Sequence, residues 1–222
     1  PSDDYSYNNM GLGNALKEGK ANQASYQNEN KLIGFFARVN YNYKGRYFVS
    51  ASIRHEGSSQ FGEDHKWGNF PAISLAWNIK GEQFLHNIQA ISTLKLRAGF
   101  GITGTEPGTP YLSLNKLNMG GYGYYNGKWT NLLRPDGNPN PDLRWEKKEE
   151  LNIGLDFGFL SDRISGSIDF YNRETKDLIG DYQVPVPPYF SPWIKANAGS
   201  IRNTGLEVSL NIVPVQNKDF TW

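Results

Sequence analysis

Leu151, Ile153, Leu155, Phe157 and Phe159 occupy every second position of one stretch, with Asn152, Gly154, Asp156 and Gly158 between them. A period of two is that of a strand with two unlike faces. After a break at Ser161–Asp162, Ile164, Ile168 and Phe170 resume the apolar side. The same alternation recurs along the chain. Phe35, Ala37, Val39, Tyr41 and Tyr43 oppose Arg38, Asn40 and Asn42. Beyond a tight turn at Lys44–Gly45 come Tyr47, Val49, Ala51 and Ile53. A third row holds Ile73, Leu75, Trp77 and Ile79. A fourth sets Leu94, Leu96, Ala98, Phe100 and Ile102 against Lys95, Arg97, Gly99 and Gly101. Leu206, Val208, Leu210 and Ile212 oppose Glu207, Ser209 and Asn211. Asp219 to Trp222 reads as the start of a further strand, and residues 1–30, polar and weakly patterned, as a loop or strand edge. The expectation is an all-β chain of about seven to eight antiparallel strands in an up-and-down order.

The connections alternate in length. Those at Lys44–Gly45, Leu160–Asp162 and Pro214–Lys218 are short. Glu56–Lys66, Gly104–Arg144 and Lys176–Ala198 are long, and Lys80–Thr93 is intermediate, with one helical turn in GEQFLHNI. In a meander, alternate connections share an end, so one end is trimmed and the other decorated, as in outer-membrane barrels. Several rows sustain alternation for about ten residues, enough for a tilted strand to cross a bilayer. Tyr41, Tyr43, Tyr47, Trp67 and Trp77 fall near row ends, where aromatic girdles sit; strand propensity alone also explains them. Two readings stay open: a barrel with its apolar rows on lipid, or a soluble β-sandwich (an adhesin or carbohydrate-binding module) with those rows buried.

Charge narrows the classes. The 23 Lys+Arg nearly balance 22 Asp+Glu, so no basic field points to nucleic acid. Zero cysteines exclude a disulfide framework and thiolate metal sites. No stretch of 18 apolar residues offers a transmembrane helix, which leaves barrel strands untouched. With 24 glycines, 12 prolines and 14% aromatics, the composition suits many turns between strands.

Candidate chemistry is sparse. Asp136, Asn138, Asn140 and Asp142 alternate as in a calcium loop, but Pro141 and Lys147 stand where the EF-hand needs Gly and Glu. Ser113-Leu114-Asn115-Lys116 fits S-x-x-K without a helix to carry it. His55, His65 and His86 lack metal spacing, and no carboxylate pair is positioned for glycoside hydrolysis. The chain is expected to be no enzyme, with no metal and no cofactor. Two aromatic clusters remain. Tyr122, Tyr124, Tyr125 and Trp129 lie on a Gly-rich loop, and Tyr189 and Trp193 on one stiffened by four prolines. Such rings can stack on sugars, contact a partner protein, or pack the loops together.

Six stretches, taken in order, resemble the SusC/RagA family of TonB-dependent outer-membrane transporters of Bacteroidetes. They are RHEGSSQF (Arg54–Phe61), WGNFPAISLAW (Trp67–Trp77), LKLRAGFGITGT (Leu94–Thr105), NPDLRWEK (Asn140–Lys147), LNIGLDFGFLSDRISGSIDFYNRETKDLI (Leu151–Ile179) and NAGSIRNTGLEVSL (Asn197–Leu210). Thr105 departs from the Asn that often follows Thr-Gly in the family. The resemblance implies that residues 1–222 belong to the receptor's barrel domain, as a segment of a plugged barrel of roughly 22 strands, with residues 31–222 as strands and loops and no plug. It further implies an outer-membrane importer of oligosaccharides or peptides, a SusD-like surface lipoprotein as partner, and TonB engaging regions absent from this segment. On that reading the bilayer meets the apolar rows, while Arg38, Lys95, Arg97, Asp156, Asp169 and Glu207 face the lumen.

Overall fold

A computed structural model describes residues 27–215, Lys218 and Trp222. Seven long strands form one antiparallel sheet in the order β1-β2-β3-β4-β7-β8-β11. They are β1 (Leu32–Tyr43), β2 (Tyr47–Ser58), β3 (Trp67–Asn78), β4 (Ile91–Thr105), β7 (Glu146–Phe159), β8 (Ile164–Lys176) and β11 (Ser200–Ile212). Two hairpins interrupt the meander without joining the sheet: β5 (Leu117–Tyr125) with β6 (Lys128–Pro135), and β9 (Ile179–Gln183) with β10 (Trp193–Asn197). The expected meander is therefore present. The third strand ends at Asn78, one residue short of expectation, because Ile79–Gly81 turns as a 3-10 element, followed by another at Gln83–Leu85. Of the further strand expected at Asp219–Trp222, residues 219–221 lie outside the described residues, as do residues 1–26 of the opening segment.

The short turns owe their tightness to backbone that favours small or hydrogen-bonding residues. Lys44 and Gly45 both take positive φ (54° and 65°), as the central residues of a turn closed by the Arg46 N–H on the Tyr43 carbonyl (3.0 Å). Leu160, Ser161 and Asp162 are left-handed in succession. The start of β4 holds that turn: the Asp162 N–H donates to Ser92 Oγ (2.9 Å), and Thr93 Oγ1 donates to Asp162 Oδ1 (3.1 Å).

Register turns the alternation into bands. One line of partners crosses all seven strands as Tyr43, Tyr47, Trp77, Leu96, Leu155, Ile168 and Val208. The next reads Tyr41, Val49, Leu75, Ala98, Ile153, Phe170 and Leu206. Interleaved on the other face is Asn40, Ser50, Ser74, Gly99, Asn152, Tyr171 and Gly205. The apolar lines are open: Leu75 is 47% exposed, Ile153 43% and Leu206 65%. Among the described residues no second sheet lies over them, and the four buried apolar residues all sit elsewhere. A soluble sandwich with half-exposed central rows would lose the hydrophobic term that drives folding.

The apolar band also climbs. On β1 it runs from Phe35 to Tyr43, on β7 from Leu151 to Phe159, and on β11 from Leu206 to Ile212. Relative to the register, its upper edge slips six residues across six strand steps. One residue per strand is about 3.3 Å along for about 4.8 Å across, a tilt of roughly 35° for a level band. Transmembrane barrel strands tilt by that amount, about 35–45°. The wall strands, 12 to 15 residues long, exceed the expected ten or so and carry their surplus on the long-loop end.

At that end the sheet forks. Pairing between β3 and β4 stops at Ala72–Gly101, while β4 and β7 stay paired up to Thr105–Glu146. The fork is filled by the compact core: Phe61 (1% exposed), Phe70 (4%), Leu143 (0%) and Trp145 (3%), with Ile102, Leu112 and Ile179 against it. Gly68 and Gly104 border the Phe70 and Trp145 rings so closely that a Cβ at either would collide with them.

Candidate functional site: a two-faced wall and its loop crown

The polar face is a charged network built on small residues. Arg97 on β4 makes two hydrogen bonds to Asp156 on β7 (Nε to Oδ2 2.9 Å, Nη2 to Oδ1 2.7 Å) and one to Asp169 on β8 (3.0 Å). Gly154 makes this possible: it lies between Arg97 and Asp169 in register, and a Cβ there would meet both side chains. Further along the face, Arg173 pairs in fork geometry with Glu150, both bonds 2.9 Å. Glu207 is the register partner of Asp169. Of the six charged residues singled out from the sequence, Arg97, Asp156 and Asp169 meet directly. Lys95 is the register partner of Asp156 without an ion pair to it among the described residues, and Arg38 lies apart on β1, its guanidinium over the Phe36 ring at 5.2 Å. All six share the face opposite Leu155. Sequence reasoning missed Arg173 and Glu150, although their even spacing from Asp169 and Asp156 carried the signal.

Aromatic residues close the apolar band. Tyr43, Tyr47 and Trp77 stack side by side at the short-turn end, with centroids 6.3 and 6.2 Å apart. The polar tips of Tyr47 and Trp77 converge on Glu82 in the connection below: Tyr47 Oη donates to Oε1 (2.6 Å), Trp77 Nε1 donates to Oε1 (3.1 Å), and Arg46 pairs with Oε2 (3.1 Å). These contacts hold the Glu82 carboxyl below the usual carboxylate range, with the Tyr47 hydroxyl as the largest cause. At the other end Phe35, His55 and Trp67 stack, His55 on Trp67 at 4.6 Å. Apolar bodies with tethered polar tips suit the membrane interface.

The crown is held by asparagines. Asn138 donates to the Ser191 and Trp193 carbonyls (2.6 and 2.9 Å) and accepts from the Phe190 and Ser191 N–H groups (2.9 and 3.2 Å). Asn140 donates to the Lys195 carbonyl (2.9 Å), and Asn197 Oδ1 accepts from the Arg144 N–H (2.9 Å). Trp145 Nε1 donates to the Lys66 carbonyl (2.9 Å), joining the β2–β3 connection to the same block. The alternating Asn138 and Asn140 thus serve as clamps on the β9–β10 hairpin.

The Gly-rich loop expected at Gly120–Trp129 is an ordered hairpin, turned at Asn126–Gly127, both of positive φ. Its alternation is hidden in the sequence by a bulge between Met119 and Gly121, which shifts the register by one. As a result Leu117, Tyr122, Tyr124, Trp129 and Leu133 come to one face, all exposed, with Tyr124 and Trp129 edge to face at 5.6 Å. Tyr125, 77% exposed, points to the other face. Tyr189 and Trp193 flank the second hairpin connection, also exposed. A cleft of about 160 Å³ between the bases of the hairpins is lined by Trp193, Asp136, Asp181, Lys116 and Lys195.

A tilted, two-faced meander with open apolar rows and aromatic borders defines a piece of a transmembrane β-barrel wall. Comparison with known proteins agrees. Residues 1–222 match the family model described as TonB dependent receptor-like, beta-barrel, and the chain belongs to that family of outer-membrane barrels. It is 41% identical to the TonB-dependent receptor SusC of Bacteroides thetaiotaomicron over 204 residues, 90% of this chain and 20% of that protein. It is 42% identical to TonB-dependent receptor P39 of Formosa agariphila, over 86% of this chain and 18% of that protein. Among solved structures it superposes on the RagAB peptide transporter with a TM-score of 0.77 at 28% identity, covering 93% of this chain and 23% of that one. The siderophore receptor PirA of Pseudomonas aeruginosa, at 15% identity and a TM-score of 0.56 over 87% of this chain and 33% of that one, shares the fold. The chain spans about one fifth of the length of the curated relatives it matches.

Proposed function

We propose that this chain is wall and mouth of an outer-membrane, TonB-dependent nutrient importer of the SusC type, which takes up oligosaccharides or peptides with a SusD-like surface lipoprotein. One observation carries the reading: a seven-stranded sheet whose apolar rows are open along their length and level at a membrane-barrel tilt. The identity to SusC supports the nutrient class, and the likeness to RagAB supports a peptide as readily as a glycan. In this reading Arg38, Lys95, Arg97, Asp156, Asp169 and Glu207 line the lumen and give it polarity. TonB acts through parts of the receptor outside this segment. The segment performs no chemistry of its own.

The mouth contacts belong to the hairpins. Tyr122, Tyr124 and Trp129, on one rigid face with Leu117 and Leu133, form the kind of aromatic anchor that dominates interface hot spots. We assign this face to the lipoprotein; Tyr125 lies on the hairpin's opposite face, next to its turn. Trp193 borders the cleft that carries Asp136 and Asp181, Tyr189 is exposed in the adjoining β9–β10 connection, and both suit the substrate better. Replacing Tyr122, Tyr124, Tyr125 and Trp129 with Ala in the full-length receptor tests the division. Loss of lipoprotein co-purification with normal barrel assembly supports it. Retained partner with reduced uptake moves the face to the substrate, and no change in either removes the site.

A further inference from the structure

The β9–β10 hairpin has two edges, and they are finished differently. Ala198 N–H donates to the Leu178 carbonyl (3.0 Å) and Val184 N–H to the Pro192 carbonyl (2.9 Å), so the hydrogen-bonded pairs of this ladder fall on the even residues of β9. The odd residues of both strands therefore turn their main-chain groups outward. On β10 that edge is sealed: the Trp193 and Lys195 carbonyls accept from the Asn138 and Asn140 side chains, both at 2.9 Å. On β9 the outward contact is at the base, where the Ile179 N–H donates to Glu146 Oε2 (2.9 Å). Beyond it, the N–H and carbonyl groups of Asp181 and Gln183 have no partner among the described residues, and both residues are exposed.

An open edge is a template for a further strand. Asp181 and Gln183 each offer one donor and one acceptor, and the two sets stand about 6.8 Å apart, the two-residue repeat of an extended chain. A chain of sugar rings does not present alternating N–H and carbonyl groups at that repeat. We propose that the β9 edge takes an extended peptide by strand addition, which makes peptides the substrate class of this mouth. This inference rests on reading the chain as the mouth of a nutrient importer. An antiparallel peptide exchanges four main-chain hydrogen bonds with Asp181 and Gln183. Its residue opposite Asp181 carries its side chain on the Asp181 face, over the cleft that Asp181 shares with Trp193. The Asp181 carboxylate is 63% exposed and its ion pair with Lys195 is long, at 3.4 Å, so it selects a basic side chain at that position.

The test is binding of an acetylated, amidated pentapeptide, Thr-Val-Lys-Val-Thr, to the full-length receptor in nanodiscs, with hydrogen exchange resolved to single amides. The Asp181 and Gln183 amides should exchange fast in the free receptor and slow when the peptide is added. Methylating the main-chain nitrogen of the peptide's lysine removes a donor to the edge and should weaken binding about tenfold. Gln183→Pro removes a donor from the receptor side and sets a ring on the edge, with a loss of similar size; heat-modifiable mobility checks that the variant assembles. Asp181→Asn should lower the preference for lysine over norleucine by up to about fivefold. Equal affinity of the methylated and unmethylated peptides overturns the proposal. So does protection of both amides before peptide is added, whether by the receptor itself or by the lipoprotein, because the edge is then already filled. Absence of peptide binding also overturns it, and nutrient uptake by cells, measured separately, then decides whether the importer reading stands without it.

Discussion

The wall and the crown of this chain answer to different solvents. In the wall, Ile153 and Leu206 stay open because the partner that covers them is lipid, and neither joins the buried core. In the crown, water surrounds the chain, so Phe61, Phe70, Leu143 and Trp145 must bury one another, and they do so almost completely. The boundary falls where β3 and β4 part, at Ala72–Gly101. One strand thus changes its rule of construction partway along. Phe70 and Ile73 lie on opposite faces of β3: Phe70 is a core residue at its upper end, and Ile73 faces hydrocarbon. Hydropathy without register would treat both as core.

The sharpest way to break this contrast is to remove the crown's core. Trp145→Ala takes away the ring that fills the fork and the donor to the Lys66 carbonyl. Loss of a buried Trp costs about 3–5 kcal/mol. The loss should appear as faster hydrogen exchange in residues 59–66 and 136–145, with the wall amides of β7 and β8 unaffected. Uniform loss through the wall would mean that the two regions fold as one.

Next in size is a charge placed on either face of the wall. Leu155→Arg sets a guanidinium in the middle of the apolar band and should destabilise the assembled barrel by about 2–4 kcal/mol. Asn152→Arg, on the polar face beside Tyr171 in register, should cost less. Folding titrations of the full-length receptor in lipid measure both, and equal costs would contradict the assignment of faces.

The smallest effect lies at the short-turn border. A carboxyl held below its usual range stabilises the folded state above its unfolded pKa, about 4.3, and that contribution disappears as the pH falls through the folded value. The Glu82 anchor should therefore be constant from pH 8 to 5 and weaken below about pH 4. Glu82→Gln should flatten this part of the acid profile in a denaturation series, and an unaltered profile would detach Glu82 from the girdle.

How much of this was legible in the sequence follows the same division. The wall was readable because its two faces meet different media, so Leu151 to Phe159 alternates without exception and the strand pairing follows from order alone. The level of the band was not readable, since tilt emerges only when register aligns Phe35 with strands far along the chain. In the crown, the clamps are asparagines, whose side chains bond to backbone and leave no pattern. Asn138 and Asn140 imitate calcium spacing because alternate residues of an extended loop point the same way, here toward the β9–β10 hairpin. The β5–β6 hairpin resembles a loop in sequence because its bulge breaks the period of two just where the glycines are. The Arg97–Asp156–Asp169 cluster was half visible: the residues were on the expected face, but only register brought three strands' charges to one point.

The central claim is that one face of this sheet meets hydrocarbon. Spin labels at Ile153→Cys and Asn152→Cys in the full-length receptor, reconstituted in lipid, test it most directly. The two are adjacent in the middle of β7 and lie on opposite faces. The label at 153 should collide readily with dissolved oxygen and poorly with a water-soluble nickel chelate, and the label at 152 should do the reverse. Matching accessibilities, or a label at 153 shielded from both reagents, would place a protein layer over the apolar rows and contradict the account.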